Sequence, residues 1–136
     1  MADPSPPEGF SLHTRSSPVT KPWEPIYAKI APEAFHLALQ LAEPHCNARG
    51  FAHGGVIAAL ADNAMGLSYG LKLGAPGGIV TVSLNLDYIG SGQTGQWLEI
   101  APRVLKASKT TGFVDALVTA DGALVARASA VFRNLA

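Results

Sequence analysis

The segment from Phe51 to Leu71 constrains this chain more than any other part of it. It is mostly apolar and long enough to cross a bilayer as a helix. Yet it holds His53, Asp62, Asn63 and four glycines, and a carboxylate near mid-span costs about 2.5–3.5 kcal/mol. The segment is therefore expected to be a buried helix of a soluble protein, running from His53 to about Leu73. Gly54 and Gly55 open it. Val56, Ile57, Leu60, Ala61, Ala64, Met65 and Leu67 then surround the axis, and a helix apolar on nearly all sides is buried. Gly74-Ala75-Pro76-Gly77-Gly78 supplies the stop.

The flanking segments read as strands. Ile26–Ile30 is a short apolar run. In Phe35–Ala42, Phe35, Leu37, Leu39 and Leu41 recur with a period of two. Pro44–Ala52 reads as a loop. After the helix, Val80, Val82, Leu84, Leu86 and Tyr88 alternate with Thr81, Ser83, Asn85 and Asp87, the cleanest such pattern in the chain. Leu98, Ile100 and Val104 mark a further strand, in which Pro102 predicts an edge or a bulge. Phe113–Ala120 and Leu124–Phe132 follow, joined by the hairpin signal Asp121-Gly122. Two strands, one long helix and four antiparallel strands make an α+β architecture, a curved sheet around a central helix. Residues 1–25 carry six prolines and are expected to form a loose arm with a short helical turn near Gly9–Thr14. The domain proper is expected to span residues 26–136.

Composition narrows the function. The 136 residues suit one domain. Lys plus Arg and Asp plus Glu are both 10, giving zero formal net charge, which argues against a nucleic-acid partner. Only 15% of residues are charged against 48% apolar, so much of the surface is expected to be covered, and oligomerisation is one way to cover it. One cysteine, Cys46, cannot form an internal disulfide, and the N-terminus has no apolar leader. A cytoplasmic setting without membrane attachment is the expectation.

Asp62 is the only formally charged residue between Phe51 and Leu71. A carboxylate on a buried helix marks either a site or an ion pair. His53-Gly54-Gly55 stands where free N–H groups point along the helix axis with partial positive charge. Such a terminus can hold an oxygen that becomes negative during reaction; ordinary helix-start punctuation is the plainer alternative. Asn47, in the preceding loop, could donate to the same oxygen or orient a water, or simply turn the chain. Gly54 and Asp62 lie eight positions apart on one helix, which separates their backbones by roughly 12 Å. If both act on one bond, they come from different chains, as two antiparallel helices of a two-fold dimer would allow. His45, Cys46 and His53 match no usual zinc spacing, and nothing marks Cys46 as an activated thiolate. Arg103, Lys106, Lys109, Arg127 and Arg133 read as a solvated face or as contacts for coenzyme A phosphates.

The run from Asn47 through His53-Gly54-Gly55 and Asp62-Asn63 to Gly66 resembles the signature of the hotdog-fold acyl-CoA thioesterases. It is most similar to the branch with the His-Gly-Gly motif, that of the phenylacetate-pathway and 4-hydroxybenzoyl-CoA thioesterases. The resemblance extends from about Pro25 to the end, including Thr81–Tyr88. It implies hydrolysis of acyl- or aryl-CoA to free acid and CoA at a subunit interface, in a homodimer or homotetramer. It implies that the Gly54 N–H polarises the thioester carbonyl and that Asn47 holds the carbonyl or the water. His53 would support Asn47 and its loop by hydrogen bonding, Gly55 and Thr81 would contact the substrate, and Thr81 stands where the family often has Ser or Thr near the carboxylate of Asp62. Asp62 would act as base or as nucleophile; some members carry Glu there. No metal or redox cofactor is implied, coenzyme A being part of the substrate. A hotdog acyl dehydratase or hydratase, with His53 as its acid–base, and a non-enzymatic acyl-CoA-binding protein are the alternatives.

Overall fold

A computed structural model describes residues 5–31, 33–74 and 76–135, with the backbone alone at Ala31. The chain runs β1 (Ser11–Leu12), β2 (Tyr27–Ala31), β3 (Ala34–Gln40), α1 (Gly54–Leu73), β4 (Ile79–Tyr88), β5 (Trp97–Ala107), β6 (Thr111–Ala120) and β7 (Ala123–Asn134). All strand pairs are antiparallel, and the order across the sheet is β1-β2-β3-β5-β6-β7-β4. The helix packs against every strand from β3 to β7. One sheet around one helix is the hotdog arrangement.

Alternation fixes which side of each strand meets the helix. Leu37 and Leu39 of β3, Leu98 and Ile100 of β5, Val114 and Val118 of β6 and Phe132 of β7 are buried with Leu60, Met65 and Tyr69 of α1. Fully burying such side chains contributes about 1.5–3 kcal/mol each. Tyr69 keeps its polar end satisfied by donating to Ser108 O at 2.8 Å.

The helix is less enclosed than its composition predicts. Asp62, Asn63, Gly66, Leu67 and Gly70 are only half-buried, and Leu71 is exposed. These residues recur at helical spacing, so one stripe of α1 stays open within a single chain.

The strand β4 also departs from the sequence reading. Thr81 pairs with buried Phe132, and Leu84, Leu86 and Tyr88 pair with buried Ala130, Ala128 and Ala126. Val80 pairs instead with Arg133, and the register shifts between Thr81 and Ser83. A bulge at Val82 therefore changes the phase of the strand. Val80 and Val82 do not share a face with Leu84, and Thr81 does.

Pro102 is buried and pairs with Ala116 of β6. The β3 register ends at Ile100, so Pro102 lies where β5 has a neighbour on one side, and a bulge follows between Val104 and Lys106. Its missing donor is thus tolerated.

The arm packs onto the sheet. β1 pairs with β2, and Phe10 is buried with its ring edge-on to Trp97 at 5.4 Å. The helical turn lies at Lys21–Trp23 and not near Gly9–Thr14, where Ser11–Leu12 is strand. Pro22 within that turn tolerates the missing donor of a first helical position. Among the described residues no helix is long and apolar enough to cross a membrane.

Candidate active site

The start of α1 has one backbone donor left over. His53 is the N-cap, in extended conformation. Its ring Nδ1 accepts from the Gly55 N–H at 2.8 Å, and its carbonyl accepts from the Val56 and Ile57 N–H groups. The Gly54 N–H has no partner among the described residues. It is an unsatisfied donor at the positive end of the helix dipole.

Both glycines have close side-chain neighbours. A Cβ at Gly55 would lie 3.0 Å from His53 Nδ1, and one at Gly54 would lie 3.2 Å from Tyr88 Cζ. Tyr88 also donates to Gly54 O at 2.6 Å. It therefore holds the first peptide of the helix, a role the sequence reading did not give it. The signal lay in its place at the end of an alternating strand, but the partner could only come from the fold.

Asn47 opens a tight loop. Its Oδ1 accepts from the Arg49 and Phe51 N–H groups at 3.0 and 3.2 Å, an Asx turn closed by the bridge Cys46–Ala52. Its Nδ2 has no partner among the described residues and remains a donor. No hydrogen bond joins His53 to Asn47; the His53 ring is turned to Gly55 instead. What His53 does support is the loop's end, since its N–H donates to His45 O at 2.9 Å.

Asp62 sits two turns further along α1, half-buried. Thr81 of β4 donates to its Oδ1 at 2.6 Å, which fixes the carboxylate and leaves Oδ2 unpartnered among the described residues. The carboxylate is thus held by a hydroxyl, with no cation paired to it among those residues. The structure therefore makes two groups of the candidate residues. Asn47, His53, Gly54 and Gly55 cluster at the head of the helix. Asp62 and Thr81 lie eight residues, about 12 Å, along it.

A cleft of about 470 Å³ extends from Asp62 and Thr81 along the open stripe of α1. Phe35, Leu67, Ile79 and Phe132 give it apolar walls, and Arg15 of the arm also lines it.

The weaker candidates take other places. His45 is buried, accepting from Ala42 N and bonded through Nε2 to Trp23 O at 2.8 Å, which is a structural role. Cys46 is a free thiol beside Thr94. Arg103 and Arg127 pair with Asp115 and Asp87, each at 2.8 Å, on the face of the sheet away from α1. Among the described residues no group of His, Cys, Asp and Glu could hold a metal ion.

A hotdog fold with a free helix-end donor and an anchored carboxylate carries groups that suit hydrolysis of a carbonyl compound. The family comparison agrees: residues 49–126 match the Thioesterase superfamily. The chain belongs to that family and is a thioester hydrolase. It is 39% identical over 127 residues to a protein of Pseudomonas aeruginosa provisionally named an esterase, covering 93% of this chain and 95% of that one. It is 36% identical to acyl-coenzyme A thioesterase 13 of Homo sapiens, over 71% of this chain and 70% of the relative. Among solved structures, a mutant form of the phenylacetic acid degradation protein PaaI from Thermus thermophilus superposes with a TM-score of 0.76 at 26% identity. That superposition covers 88% of this chain and all (100%) of PaaI.

Proposed function

We propose that the protein hydrolyses acyl- or aryl-coenzyme A thioesters to the free acid and CoA, at a site shared between two copies of the chain. The observation that carries this reading is the pair of half-sites on one helix. A donor without an acceptor stands at Gly54, and a carboxylate held by Thr81 stands about 12 Å away. Neither half can reach the other within a chain.

A two-fold dimer joins them. β4 is the last strand of the sheet, so its outer edge offers unpaired backbone groups. Val80 and Val82 are 42% and 62% exposed there. Pairing β4 with its copy would set two helices side by side and antiparallel, with the head of each near Asp62 of the other. It would also cover the open stripe of α1. Packing two such dimers together would give the tetramer. The free Cys46 thiol suits a cytoplasmic setting.

The chemistry follows from the groups present. The Gly54 N–H and the Asn47 amide hold the thioester carbonyl oxygen. Asp62 of the partner subunit takes a proton from water as its oxygen attacks the carbonyl carbon. Negative charge collects on the held oxygen, where the helix end stabilises it. The tetrahedral intermediate collapses as the carbon–sulfur bond breaks. The thiolate leaves and takes the proton, giving acid and CoA. A dehydratase would need His53 as its acid–base, but with Nδ1 accepting from the Gly55 N–H the neutral ring carries its proton on Nε2 and has no free basic nitrogen.

A panel of aryl-, short- and long-chain acyl-CoA esters, read by released thiol, tests the reading. Release of CoA from at least one series is the expected result. Binding without turnover across the panel would leave an acyl-CoA-binding protein and overturn it.

A further inference from the structure

The loop that carries Asn47 is closed on itself like a short ladder. His53 N donates to His45 O at 2.9 Å, and Asn47 N donates to Phe51 O at 2.8 Å. Cys46 and Ala52 form a bridge between those two rungs. Asn47 thus lies two residues beyond His45, and Gly54 follows His53, which the His45 carbonyl holds. A shift of His45 moves both groups assigned to the carbonyl oxygen.

Of residues 45–53, His45 alone is buried. Asn47, Arg49 and Gly50 are exposed, and Cys46, Phe51 and Ala52 are only half-buried. An exposed loop with few buried contacts is mobile unless something ties it down. The structural bonds of His45 supply the tie. Its Nδ1 accepts from the Ala42 N–H at 3.0 Å, and its Nε2 donates to Trp23 O at 2.8 Å. A backbone N–H only donates and a carbonyl only accepts, so the two partners fix the tautomer with its hydrogen on Nε2.

Both anchors are themselves built in. Ala42 follows Leu41, which is buried and bonds Gln96 O at 2.8 Å and Gly95 N at 2.7 Å. Trp23 ends the turn Lys21–Trp23 and packs against the core. Thr20, just ahead of that turn, is buried and bonded to Ser17 Oγ at 2.9 Å. One flat ring therefore joins the end of β3, the arm and the site loop.

We infer that His45 is the positioning residue of the oxyanion half-site: its neutral ring, pinned between Ala42 and Trp23, sets where Asn47 and Gly54 stand. This deepens the proposed mechanism and rests on its assignment of those two groups to the carbonyl oxygen. It also gives the arm a part in catalysis, because Trp23 supplies one of the two pins.

Three variants test it. His45→Asn places an amide oxygen where Nδ1 stands, keeping the bond from Ala42 and losing the bond to Trp23. His45→Gln reaches Trp23 O with its amide and loses the bond from Ala42. His45→Ala loses both. Per folded molecule, kcat should fall about tenfold in the first two and toward about a hundredfold in the third, the cost of roughly 1 Å of misplacement. KM should change by less than about twofold. If all three variants melt lower but keep the kcat of the unaltered protein, His45 is structural only and the inference fails. In an Asn47→Ala background, His45→Gln should cost only about threefold or less, since the group it positions is already gone. An undiminished loss there overturns the inference, as does a hydrogen found on Nδ1 of His45 in 15N spectra of the unaltered protein. If the unaltered protein hydrolyses no thioester, the hydrolase reading fails and His45 is judged without turnover. The Asn47 side-chain amide and Gly54 N–H resonances should then move in His45→Asn and His45→Gln. Resonances that stay in place would sink the inference on its own.

Discussion

Thr81 Oγ1 donates to Asp62 Oδ1 at 2.6 Å across the gap between β4 and α1, the only hydrogen bond to that carboxylate among the described residues. It fixes one oxygen and leaves the other free to take a proton. Thr81→Val should therefore lower kcat by about tenfold, the worth of one hydrogen bond to a charged group, while Thr81→Ser should retain most of it. Asp62→Asn keeps the shape and accepts the same bond but is no base. It should cost about 10²–10⁴-fold in kcat with little change in melting temperature. Steady-state kinetics beside thermal unfolding checks both.

Tyr88 should act as a positioning residue. Its hydroxyl holds Gly54 O at 2.6 Å, one bond from the peptide that follows and close to the free donor. Tyr88→Phe keeps the ring beside Gly54 and removes only that bond. Stability should fall by about 1 kcal/mol, and kcat should fall severalfold with KM little changed. A change confined to stability would limit Tyr88 to a structural role.

Gly112 tests the core. A Cβ there would lie 2.5 Å from the Tyr69 ring, and that ring is fully buried with its hydroxyl bonded to Ser108 O. Gly112→Ala should cost about 1–3 kcal/mol through overpacking. That is roughly 4–12 °C in melting temperature for a domain of this size. A thermal melt unchanged within error would mean that Tyr69 can shift, against the packing described.

Most of the fold was legible because each element carried its own periodicity. The helix was readable from Val56, Leu60 and Met65, and β6 and β7 from simple alternation around Asp121-Gly122. The strand β4 misled, because Val80 and Val82 continue the pattern of Leu84 and Leu86 although a bulge has changed its phase. A bulge costs no hydrophobic residue, so alternation cannot reveal it. The open stripe of α1 was also hidden, since small residues such as Gly66 suit a buried face and a cleft equally. At the site, Asp62 and Gly54 were visible as an isolated charge and a helix-opening glycine pair. Tyr88 was not, because its partner Gly54 lies 34 residues away in sequence.

Subunit complementation tests the shared site most directly. Asp62→Asn and Asn47→Ala each disable one half-site. When two such inactive variants are mixed under conditions of subunit exchange, each mixed dimer carries one site with both changes and one with neither. The account predicts that activity returns toward half of the unaltered level per mixed dimer. A mixture that stays as inactive as its parents, with mixed dimers demonstrated by mass spectrometry, would contradict it.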